Sequence, residues 1–188
     1  ICLAVGTGYN KVPVFGKILT KIIMNKRISL QDAVAKVKDG MTVMVGGFLA
    51  AGSPIAILDE LAQSGVKDLT LICNDTAFAD VAHGKLITNK QVKKVIVSHI
   101  GTNPNTSEQM SSGELEIEFS PQGTLAERVR AGGAGLGGVL TSTGLGTVVA
   151  EGKPVVVVDG KEYLLEKPLK ADIALLGATL ADEDGNLV

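Results

Sequence analysis

Tryptophan is absent from this 188-residue chain, and aromatic residues make up only 3% of it. So few π-faces exclude the stacked platforms on which single-stranded nucleic acids lie. An excess of positive charge is missing too. With 18 basic and 20 acidic residues the net charge is −2, which offers no general polyanion-binding surface and no expectation of a nucleic-acid partner. Cysteine and histidine are scarce: Cys2, Cys73, His83 and His99, with no C-x-x-C or H-x-x-x-H spacing. That set builds neither a disulfide framework nor a zinc site, so no metal is expected, and it points to a reducing, cytoplasmic compartment. No apolar run is long enough to span a bilayer. The opening "ICLAVGTGYNKVPVFGKILTKII" also lacks the pattern of a signal or transit peptide, so no membrane association is expected.

What is present suits one globular domain: 45% of residues are apolar, enough for a sizeable core. Charge is uneven along the chain. Lys11, Lys17, Lys21, Lys26 and Arg27 stand in the first 28 residues without a single acid, which leaves the remainder acidic. "MNKRISLQDAV", from Met24, reads as a natural start. Residues 1–23 are therefore expected to be an extension or artefact outside the functional fold, and residues 24–188 a single domain.

From Ser29 the pattern is regular. Ser29 is placed to cap a helix with Asp32 in its first turn, Leu30, Ala33, Val34 and Val37 share one face, and Asp39-Gly40 ends it. Met41 to Val45 is a short buried strand, and "PIAILDELAQSG" an amphipathic helix opened by Pro54 and stopped by Gly65. "DLTLICND" and "VKKVIVSHIG" are strands, "LEIEFSP" alternates like a half-exposed one, and "GTLAERVRAGG" is a short helix. "KPVVVVDG" and "EYLLEKP" form a hairpin around Asp159-Gly160, and "ADIALLGA" is a last apolar strand. Strands alternating with helices, several strands uniformly apolar, predict an α/β domain with a largely parallel sheet flanked by helices.

Two stretches concentrate glycine. "AGGAGLGGVLTSTGLGT" contains Gly133, Gly135 and Gly138 in G-x-G-x-x-G spacing, but a helix precedes it and a Gly/Thr-rich loop follows. A dinucleotide fingerprint needs a strand before and a helix after, so this stretch reads as a close-packed loop. "DGMTVMVGGFLAAGSP" has the better context. A strand delivers Gly46-Gly47-Phe48, and a helix begins at Pro54. In a parallel sheet the crevice beyond the carboxyl ends of the strands takes ligands, and glycine there lets backbone N–H groups approach a polar or anionic group. The competing reading is a tight strand-to-helix turn in which Phe48 fills core.

The same stretch resembles the signature of the family I coenzyme A transferases, in their α subunit. The likeness continues through "VKDLTLICNDTAF", "GKLITNKQVKKVIVSHIGTNP", "SGELEIEFSPQGTLAERVRAGGAGLGGVLTSTGLGT" and "KADIALLGATLADEDGNL", covering about residues 28–188. It is similar in particular to α subunits acting on short-chain acids of the acetate, acetoacetate and butyrate class. The resemblance implies the family fold and a CoA-facing loop of Gly46, Gly47, Phe48, Leu49, Ala50, Ala51 and Gly52. It also implies substrate contacts from Gln122, in "SPQGT", and Asn74, in "CNDT". Gln122's amide would donate to a developing oxyanion or hold a carboxylate. Coenzyme A and acyl-CoA would be substrates, with no tightly bound cofactor.

The family's nucleophilic glutamate belongs to a β subunit, within a Glu-Asn-Gly type motif that this chain lacks. No catalytic residue is therefore assigned here, and the partner is expected to be a β subunit, in an α2β2 assembly. Glu114, Glu116 and Glu118 alternate along a strand and read as a solvated face. Cys73, His83 and His99 read as structural. Family α subunits also continue beyond the position of Val188. Two other functions stay open from the residues alone: an enzyme like the sugar-phosphate isomerases, or a CoA-binding module without catalysis.

Overall fold

The computed structural model describes residues 2–5, as backbone, and residues 26–188; the rest of the 1–23 segment lies outside the described residues. Ser29 opens the main body as expected. Its hydroxyl oxygen accepts from the Asp32 N–H at 3.0 Å, and its hydroxyl donates to the Asp32 carboxylate at 2.7 Å. Helix α1 (Leu30–Val34) is shorter than the apolar spacing suggested; Val37 still reaches the core, from the turn that follows. Strand β2 (Thr42–Val45) comes next, then α2 (Ile55–Gln63), which buries Ile57, Leu58 and Leu61. Strand β3 (Leu69–Asp75), α3 (Gly84–Thr88), β4 (Val92–His99), α4 (Pro104–Ser112), β5 (Glu116–Phe119) and α5 (Gln122–Ala134) continue the alternation.

A three-stranded antiparallel unit follows, of β6 (Val139–Thr141), β7 (Val155–Val158) and β8 (Lys161–Glu166), ordered β6-β8-β7. Asp159 and Gly160, at φ 49° and 74°, make the β7–β8 turn, the positive-φ pair that two-residue hairpins favour. The chain then returns to the main sheet as β9 (Ile173–Gly177). With β1 (Cys2–Val5) at one edge, that sheet runs β1-β9-β2-β3-β4-β5, parallel throughout. The largely parallel α/β architecture is therefore present, and part of the 1–23 segment supplies an edge strand.

Alternation along the parallel strands sorts the core onto two faces. Val43, Val45, Leu71, Cys73, Val95, Val97 and Leu175 pack with residues of α1, α2 and α3, whereas Ile72 and Ile96 turn the other way against Leu125 of α5 and Leu169. Asp172 sets the β9–β2 register: its carboxylate accepts from the Thr42 N–H at 2.8 Å, and its own N–H donates to the Thr42 carbonyl. Helix α4 escaped the sequence reading because it has almost no apolar face, burying Thr106 and Gln109. Its ends hold it. The Asn103 side chain accepts from the Asn105 N–H at 3.1 Å, and Gly113 closes the last turn in the left-handed region.

Candidate functional site

β2 lies between β9 and β3, and the chain leaves it in opposite directions across the sheet: β3, β4 and β5 to one side, β9 to the other. Such a switch point opens a crevice at the carboxyl ends of the strands. Gly46 to Gly52 fills that position. Gly46 continues the sheet by donating to the Leu175 carbonyl at 3.0 Å, and Ser53 folds back to donate its hydroxyl to the Gly46 carbonyl at 2.9 Å. Gly47 sits at φ 110°, and a Cβ there would lie 2.2 Å from Ser53 Oγ and 2.8 Å from the Ser53 nitrogen. Only glycine fits. On the β9 side Gly177 lies so near the Gly52 carbonyl that a Cβ would come within 2.4 Å of it.

Within this loop Phe48 to Ala51 is a closed turn. Phe48 donates to the Ala51 carbonyl and Ala51 to the Phe48 carbonyl, both at 2.9 Å. Its central residues, Leu49 and Ala50, have φ of 48° and 71°. Left-handed backbone costs a residue with a Cβ roughly 1–2 kcal/mol, so the neighbours must impose this shape. They do so from β3. Asn74 donates its side-chain N–H to the Gly47 carbonyl at 2.7 Å, and the Asp75 carboxylate accepts from the Leu49 N–H at 2.9 Å.

The polar chain continues across the strand ends. Gln122, first residue of α5, donates from Nε2 to Asn74 Oδ1 at 2.7 Å. Because Asn74 must present Nδ2 to Gly47, its Oδ1 faces Gln122, and Gln122 Oε1 is thereby turned to the Ser98 hydroxyl. Ser98 also reaches the Asn74 carbonyl at 2.6 Å. One connected line thus runs from the β2 loop through β3 to β4 and the start of α5. Gln122 is exposed, and its second amide N–H remains to donate.

The structure therefore brings Gly46, Gly47, Asn74 and Gln122 together. Phe48 is 57% exposed, so it does not fill core. Asn74 uses both ends of its amide on the loop and on Gln122. Asp75 and Ser98 were not singled out from the sequence. The available signal was Asp75's place, one residue beyond Asn74 at a strand end.

His83 and Cys73 lie beneath this surface. His83 Nε2 donates to the Asp75 carbonyl at 2.7 Å, and Nδ1 is buried without a partner. Burial pushes the His83 pKa down, against the raising effect of the Asp75 carbonyl and carboxylate. Burial and the nearby Asp75 charge push the Cys73 thiol well above its ordinary value. Both side chains are buried.

The three glutamates differ from one another. Glu114 and Glu116 are surface partners of Lys90 and Lys94, at 2.6 and 2.8 Å. Glu118 departs from the solvated face expected of it. Half burial would raise its pKa, but hydrogen bonds from Arg128 (2.8 Å) and Lys94 (3.1 Å) outweigh this and hold the carboxyl below the usual range. Arg128, almost wholly buried on α5, also donates to the Lys167 carbonyl at 2.9 Å, and its Nε lies 3.7 Å from Glu166. Glu166 in turn pairs with Lys153 at 2.6 Å. This ion cluster fastens α5 to β5 and β8. Among the described residues no three His, Cys, Asp or Glu are grouped to hold a metal ion, and no helix is long and apolar enough to cross a membrane.

Comparison with known proteins defines the class. The coenzyme A transferase family model matches residues 27–188. The chain belongs to the coenzyme A transferase family. Over 162 residues it is 57% identical to the acetate CoA-transferase subunit alpha of Escherichia coli K12, covering 86% of this chain and 74% of that one. It is 52% identical, with the same coverage, to the acetoacetyl-CoA:acetate/butyrate CoA transferase alpha subunit of Clostridium acetobutylicum. Among solved structures, an acyl-CoA transferase apoenzyme from Escherichia coli O157:H7 superposes with a TM-score of 0.78 at 24% identity, over 92% of this chain and 38% of that one. The chain thus spans well under half the length of that structural neighbour, and the likeness shows the shared fold. An isomerase reading falls with the family assignment.

Proposed function

We propose that this chain is the α subunit of an enzyme that moves coenzyme A between a short-chain acyl-CoA and a free carboxylate of the acetate, acetoacetate or butyrate class. It works in the cytoplasm with a β subunit, in an α2β2 assembly. The observation that carries the reading is the hydrogen-bonded line from Gly47 through Asn74 to Gln122 at the switch point. It joins a loop open to close backbone approach to an exposed amide donor. The names of the similar α subunits support the substrate class.

In this reading a glutamate carboxylate of the β subunit attacks the thioester carbonyl. The C–S bond breaks, CoA leaves as thiolate, and an acyl-glutamyl anhydride forms. The thiolate then attacks the glutamyl carbonyl and expels the acyl group as free carboxylate, leaving a glutamyl-CoA thioester. The incoming acid runs the two steps backwards and departs as the new acyl-CoA. A carboxylate is a weak nucleophile, so the α chain's part is to position the thioester and steady the oxyanion. The Gly46–Gly52 backbone lies along the CoA thioester arm, and the free N–H of Gln122 faces the reacting carbonyl. Contacts to the remote CoA handle supply energy realised at the reacting centre.

The test is acyl-CoA:acetate transferase activity of the full-length chain, alone and mixed with its β subunit. Activity confined to the mixture, with the covalent adduct trapped on the partner, supports the reading. Turnover by this chain alone would place the nucleophile here and sink it. CoA binding without turnover in the mixture would favour a non-catalytic module.

A further inference from the structure

The turn Phe48–Ala51 is held in a left-handed shape that neither of its central residues favours. Among the described residues the one charged group that grips it is Asp75. That carboxylate is fully buried. Its Oδ2 accepts from the Leu49 N–H at 2.9 Å and its Oδ1 from the Ala77 N–H at 2.7 Å. Among the described residues no cationic side chain is paired with it. A buried carboxylate answered only by backbone N–H groups is costly to keep, and core packing gives no reason for one at this strand end.

We propose that Asp75 is a positioning residue: it fixes the Phe48–Ala51 turn in its strained conformation, so that the loop meets coenzyme A already shaped. Asp75 and Asn74 are consecutive in β3. They seize the two residues on either side of Phe48, Asn74 by the Gly47 carbonyl and Asp75 by the Leu49 N–H. Phe48 between them is left exposed. Without the Asp75 acceptor, Leu49 and Ala50 would relax toward ordinary negative φ and the turn would open. Preorganisation of this kind appears in the affinity for the ligand that the loop meets, and little in the bond-making step. The role of the turn toward CoA rests on the function proposed above; Asp75's hold on the turn does not.

The experiment uses the full-length α chain assembled with its β subunit. Three variants are compared with the native enzyme: Asp75→Ala, Asp75→Asn, and Asp75→Ala combined with Leu49→Asn and Ala50→Gly. Asn-Gly adopts this turn without strain, so it removes the need for the Asp75 grip. Amide hydrogen exchange across Phe48–Ala51, without ligand, is expected to speed up about tenfold in Asp75→Ala, the size that one lost buried acceptor implies. Asp75→Asn, which keeps one acceptor, falls in between, and the triple variant returns to the native rate. KM for acyl-CoA rises in Asp75→Ala, and less in Asp75→Asn, while kcat changes little; the triple variant is read by exchange. Exchange that stays native in Asp75→Ala, or stays fast in the triple variant, overturns the proposal. Should Asp75→Ala fail to fold, recovery of folding by the triple variant supports it and continued failure overturns it, since turn residues cannot repair a loss at Ala77. Exchange that rises and is restored while KM is unmoved keeps Asp75's hold on the turn and overturns the assignment of that turn to CoA.

Discussion

Gly46–Gly52 and Ala131–Thr147 are both glycine-rich, with three glycines in seven residues and seven in seventeen. Their surroundings differ. The first is gripped by two side chains from elsewhere in the fold, Asn74 and Asp75 of β3, and by Ser53, which follows it directly. In the second the turns are closed by local bonds, Leu136 N–H to the Ala131 carbonyl and the Thr147 hydroxyl to the Gly144 carbonyl, and its long-range bonds are the backbone ladder of β6 with β8. Its Gly133 is still helical, Gly135 ends α5 in the left-handed region, and the glycines from there lead into β6. In the proposed function the first stretch meets coenzyme A, and what sets it apart is less its glycine count than the Asn74 and Asp75 side chains that hold it in one shape. The second stretch is joinery between α5 and the antiparallel unit.

Removing what anchors the joinery tests this division with the largest effect. Arg128→Met leaves Glu118 and Glu166 without the guanidinium between them, each keeping one lysine partner. Breaking a buried pair costs about 3–5 kcal/mol, and the remaining lysines place the expected loss near the lower end. Urea unfolding reads that loss, while KM for acyl-CoA in the assembled, folded enzyme stays at the native value. A raised KM would mean that the ion cluster also positions Gln122, and the two regions would not be separable.

Gly47→Ala should show the reverse profile. The left-handed φ alone costs about 1–3 kcal/mol. The new Cβ also meets the Ser53 backbone at 2.8 Å and the Ala51 carbonyl at 2.9 Å, so the loop itself must move. A stability loss of about 2–3 kcal/mol is expected together with at least a tenfold rise in KM for acyl-CoA. Lost stability with an unchanged KM would demote the first stretch to joinery as well.

Much of this division was legible in the residues. Val43 and Val45, Leu71 and Cys73, and Ile173 and Leu175 follow the uniform apolar pattern of strands covered on both faces, so the parallel sheet followed from periodicity. The failed dinucleotide context around Gly133 was readable too, because the helix preceding it comes from the same periodicity. Three things were not legible. Helix α4 depends on Asn103 and Gly113 at its ends, with no apolar stripe to announce it. Glu118 alternates with Glu116 exactly as a wet strand face would, and only the approach of Arg128 from α5 distinguishes the two. Asp75 acts across 26 positions, and its partner is a backbone N–H that carries no residue signature.

Acid titration separates the two regions by pH window. Burial lowers the His83 pKa, so between its ordinary value near 6.5 and its lower folded value the unfolded chain binds more protons. Stability is then fully present above about pH 6.5 and declines as pH falls through that window. His83→Gln, which can still donate to the Asp75 carbonyl, is expected to flatten that slope in urea midpoints measured from pH 7.5 to 5. Glu118 answers later. Its folded pKa lies below the ordinary value near 4.3, so its contribution persists above that pH and is lost as pH falls further. His83→Gln should leave this second, more acidic loss in place. A slope unchanged by His83→Gln would mean that the strand end beneath the first loop is not what acid weakens first.

The smallest effect isolates the second stretch from any ligand role. Gly133 is helical, and a Cβ there would meet nothing within 4 Å. Alanine in a helix interior is favoured over glycine by roughly 0.5–1 kcal/mol, and the place of Gly133 in the last turn of α5 favours the lower figure. Gly133→Ala should therefore stabilise the chain by about 0.5 kcal/mol, a rise in Tm of roughly 1–2 °C for a chain of this size. KM and kcat in the assembled enzyme stay native. The informative failure is a substitution that stabilises the isolated chain but weakens assembly with the β subunit. The open side of Gly133 would then be covered in the complex, and its missing side chain would serve close approach by the partner, giving the second stretch a recognition role that its local hydrogen bonds do not announce.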